Sequence, residues 1–194
     1  TVKINASADG IDSNGQVYID GGTVYVSGAT SGPDVALDYN GKAVITGGTF
    51  VSTGVQEMAQ TFDSSSTQNF ITVYYDSAVA AGSEIKVTDK DGNTVLSYNA
   101  DKEFTFAVIS SDKLSTGETY TVTAGDNSNK VTITAGGNTI GERSAGGPGG
   151  SNGNGGPGGN PPTGEPPQKP TDANGNEIEM QGPPNGESSQ TENN

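Results

Sequence analysis

Two stretches of this chain, Ile11 to Gly28 and Leu37 to Gly54, lie over one another without a gap. Asp12, Asn14, Gly15, Ile19, Gly21, Gly22, Thr23 and Gly28 recur as Asp38, Asn40, Gly41, Ile45, Gly47, Gly48, Thr49 and Gly54. The offset is about 26 residues, inside the window of repeat lengths that produces solenoids. Thr1-Val-Lys-Ile4 matches Thr23-Val-Tyr-Val26 as well, so successive coils are expected, the first already under way at Thr1. Upstream sequence, including a leader, is expected ahead of it.

Within each repeat the apolar residues alternate in short runs, Val17-Tyr-Ile19 and then Thr23-Val-Tyr-Val26, with Gly-Gly between them. A period of two turns Val17, Ile19, Val24 and Val26 to one face and Tyr18 and Tyr25 to the other. Coils this thin bury their apolar face only by stacking, with strands about 4.8 Å apart. The expected fold is therefore all-β: the last coils of a parallel β-helix over residues 1–57. A small antiparallel sandwich is the competing arrangement.

Residues 58–135 lose the repeat but keep strand chemistry, in alternating runs at 70–75, 85–88, 95–98, 104–108, 120–123 and 131–134. Asp91-Gly92 between two of these runs is a hairpin signal. This zone is expected to be an antiparallel β module capping the last coil, because an uncovered sheet end is a liability. From 136 to 194 large apolar side chains are nearly absent and Gly-Gly-Pro-Gly-Gly occurs at 146–150 and 155–159. Such a composition cannot offset its ordering entropy, so a disordered linker or tail is expected there.

Composition narrows the chemistry further. Cysteine and histidine are both absent, which removes disulfides, thiolate metal sites, zinc and haem ligation by histidine, and Ser-His catalysis. A formal charge of −14 argues against nucleic acid and against an anionic membrane surface as partners. No run approaches the roughly 18 apolar residues of a membrane span, so no membrane insertion is expected within this fragment.

The order of Asp9-Gly-Ile-Asp-Ser-Asn-Gly15, the Gly-Gly corner and strand that follow, Met58-Ala-Gln60, Thr88-Asp-Lys-Asp-Gly-Asn93 and the Gly-Gly-Pro-Gly-Gly tail resembles a known family. It is similar to the secreted, calcium-bearing β-helix carbohydrate-binding proteins of anaerobic Gram-positive bacteria. The resemblance implies an extracellular or cell-surface location and non-catalytic binding of plant cell-wall polysaccharide, acidic sugars such as polygalacturonate and also cellulose. It also implies Ca²⁺ in the coils and a cell-wall or modular-protein neighbour.

The repeat itself offers residues for these roles. Asp12 over Asp38 and Asn14 over Asn40, with Asp9 nearby, form an oxygen-rich corner of the kind Ca²⁺ takes. The competing reading is that these are solvated turn residues whose side chains bond their own backbone. Outward Tyr18 and Tyr25 could stack on sugar rings, Lys3 beside Tyr25 could meet a uronate carboxylate, and Tyr39 projects from a corner. Against this, tyrosine favours strands and single exposed aromatics are ordinary. Parallel β-helices also host polysaccharide lyases, but a lyase needs a positioned basic side chain. The one arginine, Arg143, falls in the expected tail, leaving Lys3 or Lys42. A rigid surface stalk or adhesin is the remaining alternative. Asp89-Lys-Asp-Gly-Asn93 is not an EF-hand, because its Gly comes too early and no Glu closes the loop.

Overall fold

The alternation of small β-branched and polar residues is realised throughout as strand. A computed structural model describes residues 1–144, and among them there is no helix. The chain is all-β and its sheets are open. The short strands come first: β1 (Val2–Asn5), β2 (Ile11–Ser13), β3 (Val17–Ile19), β4 (Thr23–Ser27), β5 (Leu37–Tyr39), β6 (Ala43–Ile45) and β7 (Thr49–Gly54). Longer strands follow: β8 (Phe70–Val79), β9 (Glu84–Thr88), β10 (Thr94–Asn99), β11 (Phe104–Ser111), β12 (Thr119–Ala124), β13 (Asn127–Thr132) and β14 (Gly137–Ile140).

The ladders of the first seven strands follow the sequence repeat. β2 pairs parallel with β5 (Asp12 opposite Asp38), β3 with β6 (Ile19 opposite Ile45), and β4 with β7 (Thr23 opposite Thr49). β1 lies parallel on the other side of β4, with Val2 opposite Val24. The Gly-Gly corners stack with them. Gly22 and Gly48 both have φ in the left-handed region, at 80° and 89°. A side chain at Gly48 would also meet the carbonyl of Gly22 at 2.5 Å.

After β7 the sense of pairing changes. β11 runs antiparallel to β7, with Ile109 opposite Val51, and carries the sheet on to β8 and then to β14, in the order β1-β4-β7-β11-β8-β14. Strands β8 and β11 of residues 58–135 therefore share a sheet with the repeat strands, and all described residues fall in one compact unit. The other edges of the second coil are met by irregular chain. The Asp63 and Gln68 amides donate to the carbonyls of Ala43 and Ile45, and the Ile45 amide donates to Ser66 Oγ at 3.1 Å.

A second, antiparallel sheet, β10-β9-β12-β13, packs over the first. The central strands of the large sheet are consequently buried on both faces. One face looks into the coil with Val24, Val26, Phe50, Phe106 and Val108, joined there by Leu37, Ile45 and Phe62. The other carries Val51, Ile71, Val73, Ala107 and Ile109 against Ile85, Val87, Leu96, Tyr98, Tyr120 and Val122 of the second sheet. The Asp91-Gly92 hairpin joins β9 to β10 as expected, with Gly92 at φ 85°.

The C-terminal boundary differs from the expectation. Residues 137–140 form β14, parallel to β8, although their composition placed them in the tail. The strand is held by polar chemistry that composition does not register. Buried Asn138 accepts from the Thr134 amide at 2.8 Å and donates to the carbonyls of Thr134, Gly136 and Phe70. The rest of the expected tail, residues 145–194, lies outside the described residues. The last expected run also moved: 131–134 is replaced by β13 at Asn127–Thr132, whose turn from β12 is closed by Asn127 Nδ2 donating to Ala124 O.

Candidate functional site

The residues expected to bind ligand lie on the coil's outer surface, and the fold treats them unequally. Tyr18 points outward from β3 and is 53% exposed, its hydroxyl donating to Gln16 Oε1. Tyr25 points to the opposite face of β4 from Val24 and Val26, as its parity requires, and is only partly exposed. The second sheet covers this face, and Tyr25 stacks on Tyr98 with ring centroids 4.6 Å apart and planes 15° from parallel. Tyr25, expected as a sugar platform, thus gives part of its ring to the packing between the two sheets.

Lys3 lies beside Tyr25 in register, and is held by Asp101 at 3.1 Å. The hydrogen bond to Asp101 raises its pKa, the carboxylate charge adding to the effect. Asp101 in turn accepts from the Tyr98 hydroxyl at 3.4 Å, and that hydroxyl lies 3.2 Å from Ser27 Oγ. A polar chain thus runs from Lys3 to Ser27 along the seam. Tyr39 does not project freely either. It is half-buried against the coil core, and its hydroxyl donates to the Thr61 carbonyl. Burial, and then the charge of Asp63, push its pKa upward.

The acidic corner is assembled in register, and Asp9, Asn14, Asp38 and Asn40 each have a hydrogen-bond partner within the fold. Asp12 is exposed and adjacent to Asp38. Carboxylates about 5 Å apart repel by about 0.8 kcal/mol in water. Asp38 receives the Gln60 side-chain amide at 3.0 Å, which offsets part of that repulsion. Asn40 donates to Asn14 Oδ1 at 3.3 Å, a side-chain ladder between coils. Asp9 accepts from the Val35 amide at 2.7 Å and pins the longer loop ahead of β5. Among the described residues no group of three or more acidic side chains converges.

No family model, curated protein or solved structure matches the chain. The surface must accordingly be judged on its own geometry.

Features that the sequence reading passed over lie next to these residues. Thr46 Oγ1 donates to Asp20 Oδ1 at 2.7 Å, a second inter-coil ladder beside the Gly-Gly corner. A shallow open groove is lined by Thr46, Thr67, Gln68, Asn69, Asp112 and Leu114. Its polar groups are largely used within the fold: Gln68 donates to Gly48 O and Ser110 Oγ, and Asn69 to Leu114 O. Nothing in the sequence marked the groove, because its residues come from three separated segments. Arg143, assigned by composition to the tail, docks instead on the Ala59 carbonyl at 2.6 Å and over the Tyr74 ring at 5.9 Å. In the Asp89–Asn93 turn, Asp89 accepts from the amides of Asp91 and Asn93 and from Asn93 Nδ2. These bonds, Asn93's foremost, hold its carboxyl below the usual range.

Proposed function

We propose that this chain contains coils of a secreted parallel β-helix that binds acidic cell-wall polysaccharide without cutting it. The observation that carries the coil reading is the register: like residues of the two repeats lie opposite one another in all three parallel ladders. The sugar reading comes from the resemblance of the sequence, and the geometry says where on this chain it can be tested. With Tyr25 partly buried, the available surface is the outer side of β2 and β3 and the turns that follow β2 and β5, which carry Tyr18, Asp12, Asn14 and Asn40. An exposed aromatic ring beside amide and carboxylate groups is the chemistry that meets both the apolar face and the hydroxyl rim of a sugar.

Calcium enters as a bridge. An acidic protein and an acidic polymer repel, and a hard divalent cation between them reverses the sign. Asp12 and Asp38 provide adjacent carboxylates for it, with the remaining oxygens supplied by the uronate. Lys3, one of the two bases considered for a lyase, is engaged by Asp101, which favours binding over proton abstraction.

Retention on insoluble polygalacturonate and on cellulose, with and without chelator, tests the proposal. Calcium-dependent retention that Tyr18→Ala reduces by about tenfold, or about 1.4 kcal/mol, supports it. No retention under either condition removes it for this chain. The stalk reading has one observation in its favour, the covering of an entire coil face by the second sheet. It is favoured if the chain associates with a bacterial surface and shows no polysaccharide retention.

A further inference from the structure

The side chains that this molecule offers an oxidant are few. Cysteine, tryptophan and histidine are absent, and the two methionines are Met58 and Met180. A two-electron oxidant such as free peroxide converts a thioether to its sulfoxide, and Met58, 62% exposed, is open to it. A one-electron oxidant draws on the phenols instead. The seven tyrosines all lie among the described residues, in unlike surroundings. Tyr74 and Tyr75 pack on Phe106 and Phe104, rings with no hydroxyl proton to lose. Tyr39 and Tyr120 donate their hydroxyls to main-chain carbonyls, and the exposed Tyr18 donates to Gln16. Among the described residues only Tyr25 and Tyr98 lie phenol on phenol, with centroids 4.6 Å apart and planes 15° from parallel.

The pair is built for more than packing. Tyr98 is 6% exposed and Tyr25 is partly exposed, so an oxidant meets the stack through Tyr25. The Tyr98 hydroxyl has an exit for its proton in Asp101 Oδ2 at 3.4 Å, with Ser27 Oγ at 3.2 Å beside it. Burial raises the Tyr98 pKa, which disfavours the bare phenolate. Its electron therefore leaves together with the proton, and the carboxylate that receives the proton is already in contact. Near-parallel overlap lets the two rings share the electron deficit, and it keeps their ring carbons within reach of one another.

We infer that Tyr25 and Tyr98 form an oxidative modification site, at which a one-electron oxidant of the peroxidase class joins the two rings as dityrosine. The new bond ties β4 of the repeat to β10 of the second sheet. Each phenol gives one electron to the oxidant and releases its hydroxyl proton, that of Tyr98 to Asp101 and that of Tyr25 to water. The two phenoxyl radicals then form one carbon–carbon bond between positions ortho to their oxygens. The two ortho hydrogens leave as protons while solvent returns a proton to each oxygen, which restores both phenols. In all, two electrons and two protons depart, and one peroxide takes them up to become two waters. The link joins elements far apart in sequence, so it restricts the unfolded chain as a disulfide does. None of this depends on the sugar reading.

The experiment treats the dilute full chain with a haem peroxidase and hydrogen peroxide. The monomer is expected to gain dityrosine fluorescence, and tryptic peptides 4–42 and 91–102 to appear joined through Tyr25 and Tyr98 with the loss of two hydrogens. The joined chain is expected to melt at least about 5 °C above chain exposed to peroxide alone. Tyr25→Phe and Tyr98→Phe keep the stacked rings, and each is expected to abolish the monomer signal, whereas Tyr18→Phe leaves it intact. Asp101→Asn keeps the shape of the side chain without the carboxylate, and it is expected to slow coupling severalfold. Dityrosine confined to dimers, a joined monomer that persists in Tyr98→Phe, or oxidation that stops at Met58 overturns the inference. A coupling rate unchanged by Asp101→Asn overturns the proton route assigned to Asp101.

Discussion

Two tyrosines that strand alternation turns the same way have different surroundings. Tyr18 and Tyr25 both leave the coil interior, one into solvent and one into a stack with Tyr98. Tyr25→Ala should destabilise the chain by about 2 kcal/mol in urea titration, less than a fully buried aromatic would, whereas Tyr18→Ala should change stability by under about 0.5 kcal/mol. Tyr75 has a different lesson. Its hydroxyl is buried with no hydrogen-bond partner, and burial pushes its pKa far above the usual tyrosine value. The folded state therefore holds this proton more tightly than the unfolded chain does. Its contribution is whole below about pH 10 and is lost as pH rises from there toward the folded value. Tyr75→Phe should flatten that alkaline loss. At neutral pH it should be neutral or stabilising by about 1 kcal/mol, since an unsatisfied polar atom is removed. Urea titrations at several pH values check both.

Strand existence was legible where apolar residues alternate. The runs found in the sequence at 70–75, 85–88, 95–98, 104–108 and 120–123 all lie within β8 to β12. β14 was not legible, because Gly-Asn-Thr-Ile carries a single large apolar residue and its anchor is a side-chain amide. The expected consequence is specific. Asn138→Ala removes the acceptor of the Thr134 amide and a donor to three carbonyls, of which that of Gly136 keeps the Phe70 amide. It should cost about 2–3 kcal/mol, with amide hydrogen exchange accelerating across 137–140 before the rest of the sheet. The candidate site was partly legible for the same kind of reason. Equivalent positions in a repeat reveal which side chains stack, so Asp12 with Asp38 and Asn14 with Asn40 were found. What lies outside a coil face is set by residues nearly a hundred positions away, such as Asp101 for Lys3, and no local pattern records it.

At the scale of the whole molecule the six-stranded sheet serves two cores. Phe50 and Val51 are neighbours in sequence and both fully buried, one on each side of it. Truncating Phe50 in the first core or Ile85 in the second should therefore lower one and the same transition, by about 3–5 kcal/mol each. Near- and far-ultraviolet circular dichroism should give coincident melting curves, and two separated transitions would show that the cores unfold independently. The reversal of strand direction at β7 and β11 has a further consequence. A strand running the opposite way cannot act as a template for the next turn of the repeat, so that end is sealed. Any protein built on this plan can change its length only by whole repeats inserted on the far side of the seal, which leaves the seal's own contacts untouched.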